Sequence, residues 1–96
     1  MPLNDKEFSE PFVQGMRNRM ATSVHKYGHV KDSRANTDFV RCLEDRLAKY
    51  KDDHNTEWLM DVANFAMMEF EFPVYPDAHF RATGSHEAPK LKRLDQ

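Results

Sequence analysis

The segment Trp58–Met68 constrains the fold more than any other part of the sequence, because it is apolar at nearly every position. Only Asp61 and Asn64 interrupt it, and burying a carboxylate and an amide is costly unless other groups satisfy them. In a helix, positions 57, 61 and 64 lie along one stripe, so Glu57 would add a third oxygen-bearing side chain to the same line. This arrangement suits a hard divalent cation.

The size and charge of the chain limit the classes of partner. A chain of 96 residues is expected to form a single domain with a small core. Its helices would need a neighbouring copy to cover their apolar faces, so we expect a homo-oligomer, either a dimer or a tetramer. The formal net charge of −2 lacks the basic excess of a protein that binds polymeric nucleic acid.

The N-terminal residues and the cysteine content indicate a cytoplasmic location. Residues 1–7 lack the charged and apolar regions of a signal peptide. The single cysteine, Cys42, cannot form an intrachain disulfide or a thiolate zinc site, and we interpret it as a small core residue. No apolar run approaches the roughly 20 residues that are needed to cross a bilayer, so no membrane partner is expected.

The spacing of apolar residues predicts an all-α fold with three main helices and an irregular tail. The helices are predicted over residues 9–27, 38–50 and 56–72, and the tail over residues 73–96. The polar segment 28–37 is predicted to be a loop. The short connection between the second and third helices predicts an antiparallel pair, and oligomerisation would complete the helical bundle.

The ends of the helices have recognisable capping residues. Ser9 is a suitable N-cap for the first helix, and Pro11 is acceptable in its first turn. Gly28 is suited to the left-handed conformation that ends a helix. Asn36 or Thr37 is predicted to cap the second helix.

Carboxylates shared between the second and third helices are the best candidates for chemistry. Glu44, with or without Asp45, would lie opposite Glu57 and Asp61, because an antiparallel pair of helices can bring such groups together in a bundle. Magnesium takes oxygen ligands and keeps several waters, so sites of this kind usually also bind the phosphate oxygens of a substrate. The pattern therefore favours a site for magnesium and a polyphosphate.

Each of these residues also has a structural interpretation. Glu57 lies in the first turn of its helix, where the helix macrodipole favours a negative charge. Glu44 could be solvated or could pair with a basic residue on its own helix. Asp61 could be held by an arginine or a helix cap inside an oligomer interface. Asn64 could make a buried hydrogen bond between helices.

Two further segments contain candidate substrate contacts. Lys26 and Tyr27, at the end of the first helix, could bind phosphates and stack on a base, or Tyr27 could belong to the core. The same region also contains the basic side chains of His25, His29, Lys31 and Arg34. In the tail, Arg81 could fold over a pocket, or the tail could dock on a neighbouring subunit.

The segment from Val24 to Phe70 resembles the all-α nucleoside triphosphate pyrophosphohydrolases of the MazG type, including their small phage-encoded relatives. Members of that family place acidic residues on two successive helices, the second of which continues into an apolar run. The segments that carry the resemblance are Cys42–Leu47, Asn55–Phe65 and His25–Gly28.

The resemblance implies that the chain cleaves a nucleoside triphosphate into the monophosphate and pyrophosphate with magnesium as cofactor. It implies that the magnesium ligands, which are also the catalytic residues, are Glu44, Glu57 and Asp61. It implies substrate contacts from Lys26, Tyr27, Asn64 and Arg81. For a phage-encoded protein, the location would be the cytoplasm of the host.

Two other functions stay open on the sequence alone. The first is a binding protein that sequesters a nucleotide without hydrolysing it. This function is favoured because no acidic residue follows Glu44 by one helical turn, whereas the pyrophosphohydrolases of the MazG type have two acidic residues one turn apart on that helix. The second is an oligomeric interaction protein in which Asp61 and Asn64 set the register of the helices.

Overall fold

The structure is a computed structural model that describes residues 7–33 and 36–95. Within these residues the chain forms four helices and no strand, which confirms the predicted all-α class. The helices are α1 (Glu10–Tyr27), α2 (Val30–Ser33), α3 (Phe39–Asp53) and α4 (Glu57–Glu71). None of these helices is both long enough and apolar enough to cross a membrane.

Helix α1 begins and ends as its capping residues predict. The Ser9 hydroxyl accepts a hydrogen bond from the backbone N–H of Phe12 at 3.2 Å. Gly28 has a φ of 85°, and its N–H donates to the carbonyl of Val24 at 2.8 Å. A non-glycine residue rarely adopts this φ, so Gly28 fixes the point at which the chain leaves the helix.

The start of α3 and the segment before it differ from the prediction. Asp38 is the N-cap, and its carboxylate accepts from the N–H of Arg41 at 3.1 Å. The prediction of Asn36 or Thr37 as the cap is therefore wrong, because the acidic side chain one position later satisfies the first turn. The segment 28–37 is also more than a loop, since it contains the short helix α2.

The connection between α3 and α4 is short and well bonded. Helix α3 continues to Asp53, three residues past the predicted end, and stops where His54 adopts a left-handed φ of 61°. The indole N–H of Trp58 donates to both carboxylate oxygens of Asp53, at 3.1 and 3.0 Å. This hydrogen bond, with a second from the N–H of Asn55, lowers the pKa of Asp53. The two helices are thereby joined in a tight hairpin.

Helix α4 packs most extensively against α3 and also against α1. Among the described residues, only two hydrophobic side chains are buried, Phe39 at 3 % exposed and Met68 at 9 % exposed. The Phe39 ring lies 6.4 Å from that of Phe65, centroid to centroid. By contrast, Phe70 on α4 is 71 % exposed. The apolar surface of α4 is therefore only partly covered within one copy of the chain.

Gly15 allows α1 to approach α4 closely. A Cβ atom at this position would overlap the end of the Met60 side chain. We expect Gly15→Val to lower the free energy of unfolding by about 1 kcal/mol, the low end of the usual cost of overpacking, because the flexible end of Met60 has to move aside. The measurement is urea denaturation. Ala21→Val, at an exposed position of the same helix, is the matched control, and an equal loss in both variants would contradict the close contact.

Candidate functional site

Two arginines surround the carboxylate of Asp61. Asp61 is only 8 % exposed. Its Oδ1 accepts from Nε of Arg19 at 3.0 Å, and its Oδ2 accepts from Nη2 of Arg19 at 3.0 Å. Nε of Arg46 also donates to Oδ2, at 3.2 Å. The two parallel bonds from Arg19 form the fork that makes arginine and carboxylate a strong pair. We call these three residues the arginine–aspartate cluster.

The arginine–aspartate cluster joins the three main helices. Arg19 lies on α1, Arg46 on α3 and Asp61 on α4. The Arg46 guanidinium also lies over two aromatic rings, with its Cζ 5.5 Å from the Phe65 centroid and 5.8 Å from the Trp58 centroid. These aromatic faces attract the cation and orient it toward Asp61. The cluster therefore fixes how α1 and α3 sit against α4.

The charges around Asp61 balance within the protein. The hydrogen bond to Asp61 is the main cause that raises the pKa of Arg19, so this side chain stays protonated. Glu57 contributes a second negative charge, with its Oε1 3.6 Å from Nη1 of Arg19. Two guanidinium groups thus balance two carboxylates. The cluster together with Glu57 has no net negative charge that would attract a cation.

Asn64 anchors α4 to α1 one turn beyond Asp61. The side chain is 4 % exposed, and its Nδ2 donates to the backbone carbonyl of Met16 at 2.9 Å. Its Oδ1 is buried and has no hydrogen-bond partner among the described residues. The side chain thus makes the interhelical hydrogen bond that was one of its two interpretations. Its predicted role in substrate binding stays a prediction.

The residues present do not fit the predicted magnesium site of three carboxylates. Glu44 is exposed on α3. Within residues 7–33 and 36–95, no three histidine, cysteine, aspartate or glutamate side chains are grouped so that they could hold a metal ion. The guanidinium groups bonded to Asp61 also place positive charge where a cation would bind. Glu57 and Asp61 lie near each other, but Glu44 does not join them.

The other predicted substrate contacts are not part of the arginine–aspartate cluster. Lys26 and Tyr27 are exposed at the end of α1, where Nζ of Lys26 lies 5.1 Å from the Tyr27 ring centroid. Tyr27 is 67 % exposed, so it does not belong to the core. Arg81 forms a bidentate ion pair with Glu87 in the tail, at 3.2 and 2.7 Å. Arg34 lies outside the described residues.

Sequence reasoning missed Arg19 and Arg46, although a signal for both was present. Arg19 falls three residues after Met16, on the apolar side of α1, and Arg46 falls three residues after Leu43, on the apolar side of α3. An arginine within an apolar stripe needs a buried acid, just as Asp61 needs a buried base. Pairing the arginines in the apolar stripes of α1 and α3 with the aspartate in the apolar run of α4 would have predicted the cluster.

Comparisons with models of protein families, with curated proteins and with solved structures find no match to this chain.

Proposed function

We propose that this chain is an oligomeric interaction protein in which the arginine–aspartate cluster is structural. The observation that carries the proposal is that both carboxylate oxygens of Asp61 accept hydrogen bonds from Arg19 and Arg46. A carboxylate that is satisfied in this way has its charge compensated by the fold and needs no metal ion. The buried acid in the apolar run is thereby explained without catalysis.

The packing of the molecule supports the same proposal. Buried polar groups that must find specific partners can fix the register of helices, as a single buried asparagine does in coiled coils. Asp61 and Asn64 both bond to α1, through Arg19 and the Met16 carbonyl. A chain whose helices are aligned in this way, and which leaves large apolar side chains exposed, presents a defined surface to a partner.

A nucleotide-sequestering protein is the second candidate, favoured by the exposure of the two arginines. The side chains of Arg19 and Arg46 are 34 % and 39 % exposed. Guanidinium groups bind phosphate oxygens well, so the outer N–H groups could receive a phosphate at this surface. Hydrolysis with magnesium, which the resemblance implies, stays a prediction that the same experiment decides.

The experiment incubates the protein with each ribo- and deoxynucleoside triphosphate and magnesium, and resolves the products by ion-exchange chromatography. We expect no release of pyrophosphate, and we expect the thermal unfolding midpoint to be the same in magnesium and in EDTA, because a ligand of the folded state would raise it. Tight nucleotide binding in EDTA without turnover would favour sequestration. Release of a monophosphate and pyrophosphate would overturn the proposal in favour of the hydrolase.

A further inference from the structure

A groove opens between the C-terminal half of α1, helix α2 and the C-terminal half of α4. Its volume is about 380 Å³, and its apolar lining includes Met20 and Val24 of α1 and Met67 and Met68 of α4. Methionine side chains are flexible and polarisable, so a surface of this kind adapts to an inserted apolar group. The groove is apart from the arginine–aspartate cluster, none of whose residues lines it.

An exposed aromatic side chain lies beside this groove. Phe70 follows Met67 by three positions on α4, so the two side chains are neighbours on the helix surface. Phe70 is 71 % exposed, and Met67 is 44 % exposed. Because Met67 lines the groove, the exposed Phe70 side chain stands at the α4 edge of the apolar recess.

We propose that a second copy of this chain occupies the groove, in a two-fold dimer in which Phe70 of each copy inserts into the groove of the other. A two-fold interface uses one patch twice, so the patch must contain both the projection and the recess that receives it. Buried aromatic side chains are also the usual anchors of protein interfaces. The inference rests on the proposed function and names the partner.

The charges beside the groove complement one another under the same symmetry. Lys31 of α2 and Glu71 of α4 both line the groove, and both are exposed. In a two-fold dimer each Lys31 can reach the Glu71 of the second copy, and the reverse contact forms at the same time. A patch with one charge of each sign is self-complementary, which favours a second copy over a partner of a single charge.

Two more exposed apolar side chains follow the end of α4 in the chain. Val74 and Tyr75 follow the helix and are 39 % and 57 % exposed. A specific interface buries a total of about 1,200–2,000 Å², so the groove needs such additional apolar surface around it. In the dimer, each copy would also cover the apolar surface of α4 that is left exposed in the other copy.

The first test measures the dimer by sedimentation equilibrium over a range of concentrations. We expect the wild type to dimerise and Phe70→Ala to raise the dissociation constant at least about tenfold, as loss of an aromatic anchor does. Phe80→Ala is the matched control, because Phe80 is 82 % exposed but lies in the tail, outside the helices. It should leave the dissociation constant unchanged. Far-UV circular dichroism should show the same helicity in all three proteins.

A charge-reversal series tests the proposed contact between Lys31 of one copy and Glu71 of the other, independently of Phe70. We expect Lys31→Glu and Glu71→Lys each to weaken the dimer, because each places like charges opposite one another, and the double variant to restore it. A monomeric wild type would overturn the dimer and also the oligomeric state in the proposed function. A dimer that none of these substitutions weakens would overturn the groove as the interface, while leaving the interaction function in place. The proposed function itself would be overturned by a different result, the release of a monophosphate and pyrophosphate from a nucleoside triphosphate.

Discussion

Asp61→Ala is expected to lower the free energy of unfolding by about 3 kcal/mol, near the lower limit for breaking a buried ion pair. Removing the carboxylate leaves Arg19 and Arg46 without the acceptor of three hydrogen bonds. The lower limit applies because both arginine side chains are partly exposed to solvent. Urea denaturation followed by circular dichroism gives the change directly.

Two controls separate this effect from a general loss of charge. Glu44→Ala removes an exposed carboxylate and should change the free energy of unfolding by at most about 0.5 kcal/mol. A triple variant with Asp61→Leu, Arg19→Met and Arg46→Met removes the whole cluster, and it should lie within about 1 kcal/mol of the wild type, because no charge is left uncompensated. A triple variant as unstable as Asp61→Ala would contradict this explanation.

Phe39→Ala should destabilise the protein by about 3–5 kcal/mol, the usual cost of emptying a buried phenylalanine site. Phe39 is the least exposed of the buried hydrophobic residues, at 3 %, and its ring packs against Phe65. Phe65 in turn lies under the Arg46 guanidinium, so the cavity would open beside the arginine–aspartate cluster.

The matched control for Phe39→Ala is Phe8→Ala, because Phe8 is 62 % exposed and lies before α1. Thermal unfolding of the two variants should differ strongly, with the Phe8 variant close to the wild type. Equal midpoints for the two variants would show that the contact between α3 and α4 does not depend on Phe39.

Local chemistry made the helices predictable from the sequence. Ser9 and Gly28 act within a few residues of the backbone groups that they satisfy, so the bounds of α1 follow from them. The end of α3 was less predictable, because His54 takes the left-handed conformation that glycine usually supplies. The short helix α2 carries no sustained apolar period from which it could be inferred.

The burial of Asp61 and Asn64 was predictable from the sequence, but the groups that they bond to were not. The sequence indicated that Asp61 and Asn64 would be buried, as they are. Which groups meet them depends on the phase of the neighbouring helices. On α3, Glu44 and Arg46 are two residues apart, so at 100° per residue they lie about 160° apart on the helix and only one of them can face α4. The structure places Arg46 on that side.

A double-mutant cycle on Arg19 and Asp61 tests most directly whether Asp61 acts through its arginine partners. The cycle compares the unfolding free energies of Arg19→Met, Asp61→Ala and the double variant with that of the wild type. We expect a coupling energy of about 1–3 kcal/mol, because residues in one hydrogen-bonded network do not act additively. A coupling energy near zero would show that Asp61 does not act through Arg19 and would leave its carboxylate available for a ligand.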